Sequence, residues 1–143
     1  MIKNITVLGA GTMGHGIAET FAMHGYDVKL YETSEKIRTS VMETMRSELD
    51  FLAENELIEK SVIDEILKRI TIYSDLKHAV ESADYVIEAV PEIIELKQNI
   101  FKEIDGYCKE STIFASNTSS LALNEMMKYL SEERKKRMMV CHW

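Results

Sequence analysis

"VLGAGTMGHGIA", residues 7–18, joins a β-branched apolar run to an amphipathic one through four glycines, Gly9, Gly11, Gly14 and Gly16. Glycine costs conformational entropy in regular structure, so a cluster of this density has to serve a purpose. The run before it, "KNITVLG" (residues 3–9), has the composition of a short strand. From Thr12 the apolar residues Met13, Ile17 and Phe21 recur at every fourth position, the stripe of a helix. Gly9, Gly11 and Gly14 thus form a G-x-G-x-x-G between a strand and a helix, the placement that dinucleotide binding requires. The first glycine allows the tight turn, the second lets the backbone approach a pyrophosphate, and the third lets the helix pack against the strand. Thr12 and Met13 open the helix and belong to the same cofactor-binding set. Gly16 is read as relieving helix packing.

Working outward, Gly25 closes the first helix as a C-cap glycine does. "YDVKLYE" (residues 26–32) is a second strand ending on Glu32, about 20 residues beyond the loop, where a carboxylate accepts hydrogen bonds from ribose hydroxyls. The same charge repels a 2′-phosphate, so NAD is expected rather than NADP. Ser34 has the character of an N-cap for a long helix carrying Ile37, Val41, Met45, Leu49 and Leu52. A further helical stretch carries Ile63, Ile66, Leu67 and Ile70. The two together predict a helical hairpin or a bent helix, longer than a plain crossover needs.

The alternation then resumes. "ITIYS" (70–74) and "DYVIEAV" (84–90) read as strands around a short helical "DLKHAVESA" (75–83). Pro91, the only proline, is placed to start a helix whose buried face is Ile93, Leu96, Ile100 and Ile104. "STIFASN" (111–117) reads as a strand, "SLALNEMMKYL" (120–130) as a helix, and "RMMVCHW" (137–143) as a last strand. This order predicts an α/β fold: one domain over residues 1–143, with a doubly wound, mostly parallel sheet of the Rossmann type and an inserted long helical hairpin.

Composition narrows the function. A net charge of −7 over 143 residues argues against a nucleic-acid partner, whose footprint is a basic stripe. An apolar fraction of 45% and a charged fraction of 29% are those of a soluble globular protein, and no apolar run approaches a membrane span. The opening "MIKNITVLGAG" has none of the features of a secretory leader, so a cytoplasmic location is expected. Cys108 and Cys141 lack metal-site spacing, and no metal is expected.

Four motifs, "VLGAGTMGHGIA", "IEAVPEIIELKQNIFKEID" (87–105), "TIFASNTSSLAL" (112–123) and "VCHW" (140–143), stand in the order seen in the L-3-hydroxyacyl-CoA dehydrogenase family. The sequence resembles that family's N-terminal NAD-binding domain over nearly its whole length, least around residues 36–70. The resemblance implies a 3-hydroxybutyryl-CoA dehydrogenase-like oxidoreductase of fatty acid metabolism, with an acyl-CoA as its small-molecule substrate. It makes His142 the catalytic base, suited to the task because imidazole titrates near neutrality. Ser119 matches the family serine that bonds the reacting oxygen. Asn117, Glu92 and Lys97 match residues beside the nicotinamide ribose. Because Glu92 and Lys97 stand five residues apart, a helix ion pair between them is not expected. His15, His24 and His78 have no counterpart role.

The family's second, helical domain completes the substrate site and mediates homodimerisation. This chain stops after the histidine strand, so it is expected to be the cofactor domain alone and poorly active by itself. The region "METMRSELDFLAENELIEKS" (42–61), where relatives set lysines against CoA phosphates, is predominantly acidic, with Arg46 and Lys60 remaining. L-carnitine dehydrogenase and L-gulonate dehydrogenase, which share the fold, therefore stay open as alternatives. So does a non-catalytic NAD-binding module.

Overall fold

Six strands, β1 (Asn4–Leu8), β2 (Asp27–Tyr31), β3 (Ile70–Tyr73), β4 (Tyr85–Glu88), β5 (Ile113–Ser116) and β6 (Met138–Val140), form one sheet in the order β3-β2-β1-β4-β5-β6. The computed structural model describes residues 2–143. Every neighbouring pair is parallel, with Ile5 beside Val28 on one side and beside Tyr85 on the other. Parallel neighbours need crossovers, and the intervening segments supply them.

The helices are α1 (Thr12–Met23), α2 (Glu35–Glu54), α3 (Ile63–Lys68), α4 (Leu76–Val80), α5 (Ile94–Asp105), α6 (Leu123–Met126) and α7 (Glu132–Lys135). Alternating side chains of the strands feed two cores. Ile5, Val7 and Leu30 meet Ile17 of α1, Met45 and Leu49 of α2 and Ile66 of α3. On the opposite face Leu8 and Val86 meet Phe101 and Ile104 of α5 and Met126 of α6. The expected doubly wound sheet is therefore present. The expected helical hairpin is also present, as α2 turning back through a 3-10 turn at Lys60–Val62 into α3. Its corner is taken by Glu56, a non-glycine residue at φ +59°.

Several local expectations are corrected. Met13 was placed on the buried stripe of α1, but it is 44% exposed, and Gly14, Ile17, Ala18 and Ala22 face inward instead. The glycine contact rotates the helix so that its bare edge meets the loop. A Cβ on Gly14 would lie 1.8 Å from the carbonyl oxygen of Gly9, so the third glycine makes room for the loop itself more than for the strand. A Cβ on Gly16 would touch nothing within 4 Å, so relief of packing is not its role among the described residues.

Pro91 does not begin a helix. The chain bends at Glu92, with the Ile93 N–H donating to the Pro91 carbonyl at 2.7 Å, and α5 starts at Ile94. Ile93 and Leu96 are exposed, while Lys97, Ile100, Phe101 and Ile104 form the buried face. Periodicity misassigned this face because a lysine occupies a core position. The segment 120–130 yields only the four-residue α6, and α7, capped by the Ser131 hydroxyl accepting from the Arg134 N–H at 3.2 Å, was not anticipated. The last strand ends at Val140, and Cys141–Trp143 follow it without regular structure, the Cys141 N–H still donating to the Ser116 carbonyl at 2.9 Å.

Candidate functional site

Strand order reverses between β1 and β4, so the segments leaving their carboxyl ends diverge to opposite faces and open a crevice. Gly9 turns the chain out of β1 at φ +95°, a conformation that L side chains rarely adopt, and its Cβ position would fall 2.8 Å from the Ala89 carbonyl oxygen. Gly11 then caps α1 with no side chain, and a Cβ there would meet nothing within 4 Å. The helix N-terminus thus faces open space with its first N–H groups unobstructed, an arrangement that suits an anionic diphosphate.

That space is a cavity of about 710 Å³, lined by Gly9, Gly11, Thr12, Met13, Glu32 and Pro91 among others. Five of the cofactor-binding residues named from the sequence therefore share one cavity. Gly14 lies beneath it, supporting the loop. The exposure of Met13, unexplained by core packing, follows from this position on the cavity wall.

Glu32 is 9% exposed and does more than its position in the sequence suggested. Its Oε2 accepts the backbone N–H of Ala10 at 2.9 Å, and its Oε1 accepts that of Ser34 at 2.8 Å. One carboxylate thus ties the glycine loop to the end of β2. The Thr33 hydroxyl also donates to Oε1, at 3.4 Å, so about one of its roughly four lone-pair directions, on Oε2, remains for a ligand. Arg38, the nearest following arginine, donates from Nη1 to the Glu32 carbonyl at 2.9 Å and the Thr33 carbonyl at 2.5 Å.

A second cluster lies at the ends of β4 and β5. Lys97 is 1% exposed, and its Nζ sits 3.0 Å from both Glu88 carboxylate oxygens and 2.8 Å from Glu92 Oε2. Glu92 and Lys97 do pair, though not as the helix ion pair that their spacing made unexpected. Glu92 lies at a bend before α5, so helical spacing does not govern the contact. Burial pushes the Glu88 carboxyl up from its ordinary range, against hydrogen bonds from Ser116 at 2.5 Å and from Lys97. Burial opposes ionisation of Glu92 as well, but hydrogen bonds from Lys97, Thr118 and Ser120 hold its carboxyl down at about 2.

Glu88, Ser116 and Thr118 were not singled out from the sequence. The available signal was an acid inside the apolar "DYVIEAV", since a buried carboxylate needs a partner. Thr118 donates to Glu92 Oε1, and its hydroxyl accepts the Leu121 N–H at 3.0 Å, so the loop holding Ser119 is pinned on both sides of that residue.

Ser119 and His142 are both exposed, on the loops that leave adjacent strands β5 and β6. The Asn117 side-chain oxygen accepts the Trp143 N–H at 2.9 Å and joins those two loops. Trp143 packs edge-on against Phe21 of α1, with ring centroids 5.3 Å apart, which fixes the residue after His142. Cys108 is inert here, its thiol pushed up to about 12 by burial. Among the described residues no group of three or more His, Cys, Asp or Glu is placed to hold a metal ion. Nor is any helix long and apolar enough to cross a membrane.

Residues 4–143 match the family described as 3-hydroxyacyl-CoA dehydrogenase, NAD binding domain. The chain belongs to this family. Its NAD-binding domain is similar to the probable 3-hydroxybutyryl-CoA dehydrogenase of Bacillus subtilis, at 38% identity over 125 residues, covering 87% of this chain and 43% of that protein. It is also similar to the mitochondrial hydroxyacyl-coenzyme A dehydrogenase of Sus scrofa, at 34% identity over 131 residues, covering 88% of this chain and 42% of that one. The structure of 3-hydroxybutyryl-CoA dehydrogenase from Escherichia coli K12 superposes with a TM-score of 0.93 at 30% identity, covering 100% of this chain and 30% of the other. The (S)-3-hydroxybutyryl-CoA dehydrogenase of Ralstonia eutropha gives 0.92 at 34% identity, with 100% and 50% covered. The chain thus spans less than half the length of these two curated relatives. NAD is the cofactor of this family domain, and the open glycine loop and the Glu32 carboxylate fit its diphosphate and ribose.

Proposed function

We propose that the chain is the cofactor-binding part of an NAD-dependent dehydrogenase that interconverts an L-3-hydroxyacyl-CoA and a 3-oxoacyl-CoA, with a short acyl chain such as 3-hydroxybutyryl. The observation that carries this reading is the tie from Asn117 to Trp143, which sets the loops bearing Ser119 and His142 side by side at the carboxyl edge of the sheet. Family membership supports the substrate class, through the names of the relatives.

In this reading Glu32 and the glycine loop hold the adenosine half of the cofactor, and the Glu92–Lys97 pair lies toward its nicotinamide end. NAD supplies the hydride acceptor. His142 takes the proton from the substrate hydroxyl as the carbon gives up hydride, and returns it in the reverse reduction. Ser119 donates a hydrogen bond to the same oxygen and orients it. Asn117 fixes the backbone of both loops. A cytoplasmic setting and homodimerisation through a second domain are the finer parts of the same proposal.

The test is nicotinamide reduction with 3-hydroxybutyryl-CoA by the protein carrying this domain, with wild-type sequence and with His142→Ala. The substitution is expected to lower kcat by about 10²–10⁴-fold while leaving NADH affinity unchanged. Unimpaired turnover would remove His142 from the mechanism. Turnover of L-carnitine or L-gulonate in preference to the CoA ester would replace the substrate class and keep the base.

A further inference from the structure

Phe21, near the end of α1, is the meeting point of three other aromatic rings. It lies edge-on to Tyr26 with centroids 5.8 Å apart, tilted against Tyr85 at 6.0 Å, and edge-on to Trp143 at 5.3 Å. Tyr26 precedes β2, Tyr85 begins β4 and Trp143 follows β6, so one side chain of the cofactor helix touches three separate segments of the fold. Ala115 of β5 and Cys141 pack into the same core as Tyr85 and Phe21. Burial and the neighbouring Cys141 thiol push the Tyr85 phenol up from its ordinary range. Ile17 and Ala18 of α1 are fully buried, whereas Phe21 is half-buried at the margin of the core, where its ring is open to the tail after β6.

That tail carries His142. The histidine is exposed, and its two neighbours hold it in place. The Cys141 N–H donates to the Ser116 carbonyl and the Trp143 N–H to the Asn117 side-chain oxygen, each at 2.9 Å, which ties the backbone to β5 and the loop after it. The Trp143 ring supplies the tie to α1, through Phe21. Edge-on aromatic pairs prefer an orientation as well as a distance, so this contact fixes an angle that an aliphatic pair would leave free. The same helix presents its other end to the dinucleotide cavity, whose wall includes Gly11, Thr12 and Met13. From Thr12 to Phe21 a helix rises about 14 Å. One rigid rod therefore carries the glycine loop at its start and the rest for the tail near its end.

We propose that Phe21 is a positioning residue for the reaction, setting the orientation of His142 through the Trp143 ring, relative to a cofactor held at the other end of α1. The inference rests on His142 being the general base. A base has to lie within hydrogen-bond reach of the proton it takes, and a misplacement of about 1 Å from a remote change can cost about 10²-fold in rate.

Trp143 is the single tryptophan of the chain, so its fluorescence reports on the contact directly. In the full chain, Phe21→Leu is expected to red-shift the emission and increase its quenching by acrylamide, while NADH affinity stays unchanged. In the protein carrying this domain, Phe21→Leu and Trp143→Leu are each expected to lower kcat for 3-hydroxybutyryl-CoA by about 10–10²-fold. Each should also move the limb of the kcat/KM pH profile that reports the base, and Phe21→Tyr should restore both. The double variant should be no slower than the slower single one, because the two rings act as one pair. Trp143 is exposed, so its variant tests the pair even where thermal unfolding finds Phe21→Leu unstable. Unchanged quenching in Phe21→Leu, multiplicative losses in the double variant, turnover equal to wild type, or a matching loss of NADH affinity would overturn the role of Phe21. Failure of the underlying reading is distinct: wild type would not turn over the CoA ester, or His142→Ala would be unimpaired, and either removes the inference with it.

Discussion

Lys97 Nζ lies 2.8 Å from Glu92 Oε2, although five residues separate them and only the lysine is on a helix. The same ammonium holds both oxygens of the buried Glu88, so a single cation bridges the end of β4, the loop before α5 and, through Glu92, the loop after β5.

Replacing Lys97 with Met should therefore destabilise the fold by about 3–5 kcal/mol, because it leaves the Glu88 carboxyl buried without its cation. Urea denaturation measures the loss. The double variant Lys97→Met, Glu88→Gln should recover much of it. If the double variant were as unstable as the single one, packing and not charge would be the lysine's contribution.

The glycines of the loop should separate cleanly by substitution. Gly14→Ala places a Cβ 1.8 Å from the Gly9 carbonyl oxygen and is expected to lower the melting temperature and NADH affinity together. Gly11→Val has nothing within 4 Å of its Cβ, so the fold should hold while NADH binding is lost to the blocked approach of the diphosphate. Thermal unfolding beside fluorescence titration distinguishes the two outcomes.

Wild-type chain is expected to bind NADH more tightly than NADPH. Glu32→Ala should narrow the difference by removing both the ribose acceptor and the repulsion of a 2′-phosphate. Because Glu32 also anchors the Ala10 N–H, the variant should lose NADH affinity outright, and not merely gain affinity for NADPH. Parallel fluorescence titrations of both dinucleotides provide the check.

Glu19 makes stability depend on pH in a defined direction. Burial and the neighbouring Glu48 raise its carboxyl from 4.5 to about 8, so between those values the folded chain holds a proton that the unfolded chain has released. Its contribution is complete below about 4.5 and is lost as the pH rises toward 8. The stability of wild-type chain relative to Glu19→Gln should therefore fall across that window and level off above it. Denaturation midpoints of the two proteins, measured in a buffer series, test the sign.

The sheet and its crossovers were legible in the sequence because strands and helices carry different periods of apolar residues, and a glycine loop between them has a specific backbone use. That reasoning placed Gly9, Gly11, Thr12, Met13 and Glu32 on one cavity, since all lie close along the chain to the end of β1 or β2. Periodicity failed where a polar residue was buried or an element was very short. Lys97 occupies the core face of α5, Ile93 and Leu96 do not, and the segment around Asn124 makes barely one turn.

What only the tertiary structure decided are contacts between residues far apart in the chain: Ser116 and Lys97 on Glu88, Thr118 and Ser120 on Glu92, Asn117 on Trp143, and Glu19 of α1 beside Glu48 of α2. The pattern along a strand or helix specifies which face turns inward, a local property of the backbone. Which acid meets which base depends on the strand order β1-β4-β5-β6 and on where each loop leaves the sheet. No local period encodes that arrangement, because a partner supplied by another crossover leaves no trace in the spacing of the residues it meets.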